Sequence, residues 1–419
     1  MTSKTLWRLR RLARQLWFRA TLISLLAVAA ALIAFFITPY LPPDLSGRIG
    51  AEAVDNILSI IASSMLAVTT FSLSTMITAY GAATSNVTPR ATKLIMEDST
   101  TQNVLATFVG SFLYSLVAII TLSMGAYGER GRVVLFVVTI IVVILIVVTL
   151  LRWIDYLMRL GRVGETTQRV ERAAMRAMED RRDEPFLGGC PLRDPDTEVP
   201  SSGHKIMAPA IGYVEHVDIS TLNDIAEERG GSIYLLALPG TFVDEGRPIA
   251  VVTGEGDDPS QRIGEAFTIG SERSFDQDPR FGVIVLAEIG QRALSPGYND
   301  PGTVIDVIGR SVRVLSVWGD KPKGEEPLYP NVYVPPISLD EMFDDFFQPI
   351  ARDGAGLAEV HIRLQKALAA LARLPDPRFS AAARKHSQLA LLRAREALEL
   401  SHDIAKVEEA AATVGRGEP

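Results

Sequence analysis

The sequence predicts an α-helical membrane domain with four transmembrane helices, joined to a cytosolic mixed α/β domain and a helical C-terminal region. Three observations predict it. Long uncharged apolar runs crowd the first 153 residues, whereas most Asp and Glu lie in the second half of a 419-residue chain of net charge −7. Lys and Arg gather at the two ends of the apolar part. Beyond it, short β-branched runs alternate with capped, helix-periodic stretches.

Residues 1–19 form a basic lead-in that holds Lys4, Arg8, Arg10, Arg11, Arg14 and Arg19 without an acid, with Trp7, Trp17 and Phe18 among them. The uncharged run that follows, Ala20 to Pro43, is too long for the apolar core of a signal peptide. A retained first span is expected at about Trp17 to Thr38, with tryptophans at the interface. The second span is the stretch around which the rest is organised. No charge occurs between Asn56 and Pro89, yet Ser and Thr recur among Ile, Leu, Met, Val and Phe. At about 1.5 Å per residue such a helix outreaches a hydrocarbon core of about 30 Å, so it is expected to be embedded at about 57–80 and to project at one end. Ser59, Ser63, Ala67, Thr70, Ser74, Thr78 and Gly81 recur at spacings of three and four and so share one face.

Thr88 before Pro89 predicts a capped short helix to about Glu97. A third span is expected at about Val104 to Met124, a tight polar connection at Gly125 to Arg132, and a Val/Ile/Leu-rich fourth span at Val133 to Leu151, facing lipid and closed by Arg152 and Trp153 as interface anchors. Arg152, Arg159, Arg162, Arg169 and Arg172 match the basic N-terminus, so the charge bias predicts both termini in the cytoplasm of a bacterial inner membrane.

Residues 154–181 read as a continuing polar helix and 182–202 as a Pro/Gly linker. The expected segments are thus 1–153 for the spans, 154–202 for the connection, 203–345 for the α/β domain and 346–419 for the helical region. Strands are expected at Tyr213–Val217, Ser232–Leu238, Ile249–Thr253 and Val332–Val334, and a helix at Ile219–Glu228. The turn around Pro239 to Pro248 resembles that of lipoyl-like sandwich domains, but the acceptor lysine is missing, so no covalent cofactor is expected. Asp278-Pro279 and Asp300-Pro301 each place a capping carboxylate before a first-turn proline and predict helices of about 279–294 and 303–316. Helices follow from Leu339, around 354–372, and over 380–412, the last with a stripe of Ala390, Ala394, Ala397, Leu400, Ile404 and Val407.

Several of these words occur together: Thr88-Pro89-Arg90 with Asp98 and Gln102, Phe108 with Tyr114, Pro239-Gly240-Thr241-Phe242-Val243, Glu272-Arg273-Ser274 with Gln277-Asp278, and Arg292-Ala293-Leu294-Ser295-Pro296-Gly297 with Asn299-Asp300-Pro301. In them the chain resembles the domain-of-unknown-function-2254 family of predicted bacterial membrane proteins over nearly its whole length. That resemblance implies a multi-pass inner-membrane protein with a cytosolic domain, and no agreed activity.

Candidate functional residues fall in two groups. The face from Ser59 to Gly81 suits close helix packing in the first place, including packing between copies of a homo-oligomer in the lipid bilayer, and in the second a water-filled path. The spans' uncharged cores hold no acid, base or histidine, which argues against a proton-driven carrier. In the second group, Arg273, Arg292, Ser295, Gly297, Asn299 and Asp300 could hold a small anionic cytosolic ligand or simply build a rigid corner, with Glu288 and Arg292 as an i,i+4 pair. One cysteine, Cys190, excludes an intramolecular disulfide. No metal pattern, nucleophile elbow or phosphate loop appears, and the charge balance does not favour a nucleic-acid partner. His216 and Asp218, two apart on a strand, are the weak metal-ligand candidates.

Overall fold

A computed structural model of the protein describes residues 7, 9, 12–13, 15–37, 51–96, 98–125, 129–320 and 326–416. Glu97, the loop with Asp44 and Arg48, and residues 126–128 of the expected polar connection lie outside them. The chain divides into two compact units, one formed by Arg8–Ser85 with Thr92–Glu165 and the other by Met1–Trp7, Asn86–Ala91 and Thr166–Pro419.

The apolar unit is built from α1 (Leu16–Ile37), α2 (Ala51–Asn86), α3 (Pro89–Met96), α4 (Ser99–Ser123) and α5 (Glu129–Arg159). Three helices, over Glu52–Ala82, Ser99–Ser123 and Gly131–Arg159, are long and apolar enough to cross a membrane, and α1 adds a shorter apolar stretch, Trp17–Ala31. With 36 residues α2 extends about 54 Å, as its uncharged length predicts. α4 is the most enclosed of the four, and Gly110 lets it lie close to α1: a Cβ there would stand 3.0 Å from the Ile23 side chain.

Polar groups between these helices pair with one another, as a medium without water requires. The buried Tyr114 hydroxyl lies 3.0 Å from Thr139 Oγ1, whose own proton goes to the Leu135 carbonyl at 2.7 Å. Trp153 Nε1 donates to Ser72 Oγ at 2.9 Å, and its ring stacks on Tyr156. This corrects the reading of Trp153 as an anchor closing the fourth span. Its indole finds a buried hydroxyl and α5 continues to Arg159. The polar helix expected from 154 is interrupted too, because Gly161 takes φ +82 and turns the chain before α6 (Val163–Asp183).

The second unit contains a five-stranded sheet of order β1-β8-β4-β6-β2, from β1 (Gly189–Pro191), β2 (His204–Met207), β4 (Ile233–Leu235), β6 (Pro248–Val252) and β8 (Tyr329–Val334). β8 runs parallel to both β1 and β4, while β6 is antiparallel to β4 and β2. A three-stranded antiparallel sheet, β5-β3-β7, is formed by β3 (Gly212–Val217), β5 (Phe242–Val243) and β7 (Phe267–Gly270). Their common core includes Val214, Val217, Ile233, Leu235, Ile249, Val252 and Val332, with Leu222 and Ile225 of the helix after β3 packed into it. One sequence expectation changes here. The Pro/Gly stretch at 182–202 is no plain linker, since β1 and a short turn of helix, α7 (Pro195–Glu198), lie within it. The strands on either side of the lipoyl-like turn, β4 and β6, pair antiparallel as expected, while β5 within the turn joins the other sheet.

The remaining helices are α8 (Ile219–Glu228), α9 (Ser260–Ala266), α10 (Pro279–Leu294), α11 (Pro301–Trp318), α12 (Leu339–Asp353), α13 (Ala358–Ala372), α14 (Pro377–Ala397) and α15 (Ser401–Arg416). The single helix expected over 380–412 is two, divided at 398–400, and Leu400 of its supposed stripe is 58% exposed. Phe343, Phe346, Phe347 and Phe379 fill an aromatic core beside His386. α6 lies against α10 where Gly282 has no side chain; a Cβ there would fall 2.4 Å from that of Ala174. Nearby, Glu171 is buried and accepts from Arg310 and Arg313 at 2.5 Å each. Burial would raise its carboxyl, but the two guanidiniums outweigh this and hold it below the usual range.

His361 is fully buried, and burial pushes its imidazole down to about 4. The folded protein therefore binds fewer protons than the unfolded chain between about pH 4 and 6.5, and stability falls as pH drops through that window, by up to about 3 kcal/mol from this group. Melting of the full-length protein from pH 7 to 4.5 should show a loss that is smaller in His361→Leu. Parallel curves for the two proteins would contradict the assignment.

Candidate functional site

Three places meet the requirements of a site, and each follows from local sequence. The first is the hydroxyl face of α2. The helix buries Val54, Leu58, Ile61, Met65, Ser72 and Met76 on one side. Ser59, Ser63, Ala67, Thr70, Ser74, Thr78 and Gly81 are all exposed on the other. Ser63, Thr70 and Thr78 donate to the carbonyls of Ser59, Leu66 and Ser74 at 2.9–3.0 Å. Their protons are thus satisfied within the helix, and the face presents small side chains and acceptor oxygens.

The second place is the corner at 292–301. Ser295 Oγ donates to the Arg292 carbonyl at 2.7 Å, and the N–H groups of Tyr298 and Asn299 both reach the Ser295 carbonyl. Asn299 takes φ +46, which asparagine tolerates better than most residues. Asp300 caps α11 by accepting from the Thr303 N–H and hydroxyl at 3.0 and 2.6 Å, and those bonds hold its carboxyl below the usual range. The Arg292 guanidinium covers the Tyr298 ring at 4.8 Å. Gly297 has open space where a side chain would go. Arg273 is not part of this corner: it precedes the start of α10, and the helix's 16 residues put about 24 Å between its ends. Glu288, read with Arg292, instead accepts from Thr88 at 2.9 Å and from Arg90 at 2.5 Å. The Thr-Pro-Arg word just after α2 is therefore tied to α10.

The third place is a buried charge cluster at the start of α10. Asp278 is 2% exposed, caps the helix through the Phe281 N–H and receives two bonds from Arg273 at 2.7 and 2.9 Å. Burial raises its carboxyl, against the pull of Arg273. Gly240 is required beside the pair. Its φ is +92, and a Cβ would stand 2.3 Å from Asp278 Oδ2 and 2.8 Å from Arg273 Nη2. Gln277 Oε1 accepts the Val217 N–H at 3.1 Å, fastening the same loop to β3. Trp7 stacks on the buried His216 at 5.1 Å and donates to Asp276 at 3.0 Å, so this tryptophan is an anchor on the α/β unit, unlike the interfacial role expected of it. Asp218, the other half of the suggested metal pair, caps α8 through Thr221. Among the described residues no group of three His, Cys, Asp or Glu side chains could hold a metal ion.

Arg181 is the member that sequence reading missed, since it stands in an arginine-rich polar helix like any solvated residue. It is 3% exposed, and none of its three side-chain nitrogens has a hydrogen-bond partner among the described residues. Burial brings its guanidinium down to about 10, with Asp278 and Glu184 supporting the charged form. The only sequence signal was its place within a helix whose Val170, Ala174, Ala177 and Met178 form a buried face.

A buried charge without a bonded partner costs free energy, whereas removing one member of a bonded pair strands the other. Arg181→Met should therefore leave the melting temperature unchanged or raise it, while Asp278→Ala should destabilise by about 3–5 kcal/mol. Thermal denaturation of both purified variants checks this. Arg181→Met as damaging as Asp278→Ala would mean that Arg181 has a partner in solution.

Two motif words well apart in sequence, at Gly240 and at Arg273 to Asp278, thus meet in space, and comparison with known proteins gives the cluster its setting. An uncharacterised protein of Mycobacterium bovis (strain ATCC BAA-935 / AF2122/97) is 33% identical over 125 residues, covering 28% of this chain and 24% of that protein. Uncharacterised proteins from two strains of Mycobacterium tuberculosis match similarly, at 33% over 125 residues in H37Rv and 36% over 128 in CDC 1551, each covering 28% of this chain and 24% of the relative. The chain spans about a quarter of the length of the curated relatives it matches. No solved structure matches it. The family pattern of predicted membrane proteins designated DUF2254 matches residues 13–370, and the chain belongs to that family.

Proposed function

We propose that this membrane protein is a four-span, oligomeric inner-membrane protein with both termini cytoplasmic, whose copies meet along the hydroxyl face of α2 and leave a channel-like path there. The observation that carries the reading is the exposure of all seven residues from Ser59 to Gly81 on a helix whose opposite side is buried. Against acyl chains these oxygens gain no partner. Around a symmetry axis they meet neighbouring helices or water. The absence of ionisable groups from the uncharged cores of the sequence suits passive conduction rather than ion-coupled transport. Gating through the α/β unit is supported by the Thr88 and Arg90 bonds to Glu288, which fix the chain two to four residues beyond the end of α2.

A second reading rests on a specific observation. Because Ser63, Thr70 and Thr78 already donate within the helix, the face also suits a dry contact in a non-conducting scaffold or sensor that takes a cytosolic ligand or partner. Neither reading involves a cofactor or a catalytic step.

The two readings separate on one experiment. In liposomes holding the full-length protein, Ser63→Leu and Thr70→Leu are expected to abolish ion or small-solute flux while the assembly survives detergent extraction. A wild-type protein that carries no flux, with the same substitutions dissociating the assembly, would replace the channel with the scaffold.

A further inference from the structure

The helix α14 turns one side into its unit and leaves the other without cover. Phe379, Ala382, His386, Ala390 and Ala394 are buried. On the opposite side Lys385, Leu389, Leu392 and Glu396 recur at spacings of four, three and four and are all exposed, the two leucines to 40% and 54%. A lone apolar residue on a surface is ordinary, but two leucines one turn apart between charges of opposite sign make a packing face. Lys385 Nζ stands 3.7 Å from Asp344 Oδ1, beyond hydrogen-bond reach. That carboxylate already accepts from Gln348 at 2.5 Å and lies 3.2 Å from His386 Nε2. At the other end of the face, Glu396 has neither hydrogen bond nor ion pair among the described residues.

The order along this face, cation, leucine, leucine, acid, is its own complement when reversed. Lys385 and Glu396 lie at equal spacing, four residues each, outside the leucine pair. An antiparallel copy that sets Leu389 against Leu392 therefore sets Lys385 against Glu396, at both ends at once. We infer that two copies of the chain meet through this face of α14, in an antiparallel helix pair closed by two symmetry-related contacts between Lys385 and Glu396. A parallel copy would place like charges side by side, and an anionic bilayer surface would be repelled at the Glu396 end. The charge order therefore selects the occupant. At 21 residues α14 is about 31 Å long, and one helix pair of that length covers less than the roughly 800 Å² per partner usual for a stable complex. Confinement of both copies to one membrane offsets this by raising their effective concentration. The inference concerns the α/β unit and depends neither on contact along α2 nor on conduction.

Oxidative cross-linking of the full-length protein in isolated membranes tests the pairing, with Cys190→Ser removing the native thiol. In an antiparallel pair centred between Leu389 and Leu392, each of these positions lies about 4.5 Å along the axis from its own counterpart, whereas Lys385 and Glu396 lie about 16 Å from theirs. Leu389→Cys and Leu392→Cys should each form a dimer where Glu409→Cys, an exposed position on α15, does not. Lys385→Cys and Glu396→Cys should form one only when the two are expressed together. Lys385→Glu should lower the dimer yield at Leu389→Cys about tenfold by making both ends repel, and adding Glu396→Lys should restore it. Self-linking of Lys385→Cys, no dimer from either leucine variant, a product with another protein in place of the dimer, or a loss that Glu396→Lys does not reverse would each overturn the proposal. None of these variants touches Ser63 or Thr70, so failure of the channel and failure of this pairing are read separately.

Discussion

A polar group withdrawn from water costs free energy unless a partner lies within hydrogen-bond reach, and this constraint shapes both units. In the apolar unit it pairs Tyr114 with Thr139 and Trp153 with Ser72, each bond joining two different helices. Side chains of Leu or Val would pack such helices almost as well in several rotations; a hydroxyl and its partner make one rotation cheaper than the rest. In the other unit the same constraint gathers Arg273 around Asp278 and sets Arg310 and Arg313 on Glu171. Glu171 lies on α6 and its partners lie on α11, so the pairing orients one helix on the other as the Gly282–Ala174 approach does for α10.

What could be read from the sequence followed from features that act locally. The length of α2 is set by the absence of charge between Asn56 and Pro89, and the start of α10 by an Asp-Pro pair that works within one turn. The strand β3 was likewise legible from alternation, and the helix α8 lies where it was expected, although its cap at Asp218 was not read. The failures arose where a distant partner decides. Gly189 to Pro191 looks like linker until Tyr329 to Val334 is alongside to pair with it. Trp153 looks like an interface anchor until Ser72 is known to lie 2.9 Å away. Phe242 and Val243 look like part of a turn until Gly212 and Tyr213 are alongside to pair with them.

The candidate sites divide along the same line. Helical spacing alone put Ser59 to Gly81 on one face, since the period of an α-helix is fixed by its backbone. Whether that face would be buried by the chain's own helices depends on how α2 is rotated in the bundle, and the bonds of Ser72 and the packing of Met65 and Met76 turn it outward. The exposed leucines of α14 were illegible for a related reason. Which side of that helix faces outward is decided by α12, whose Phe343 and Phe347 pack on His386 from far upstream in the sequence. Arg181 was the least visible of all, because an arginine in a polar helix carries no mark of burial.

The family's recurring words acquire a physical meaning from these positions. Pro239-Gly240-Thr241 and Arg273 to Asp278 are distant in sequence, yet only glycine fits between the carboxylate and the guanidinium, and a side chain at 240 would have to displace a buried ion pair. Arg292 to Pro301 folds onto its own carbonyls and ends in a helix cap. Residues held by requirements this strict serve the corner they build, whatever chemistry the protein performs. It follows that motif density need not mark the surface proposed above. The exposed face of α2 carries none of the most specific words, and its residues are constrained by size and polarity rather than by identity: serine, threonine, alanine and glycine can exchange there while the surface stays small and weakly polar. A recognition surface of the proposed kind would leave its trace in periodicity and volume rather than in words.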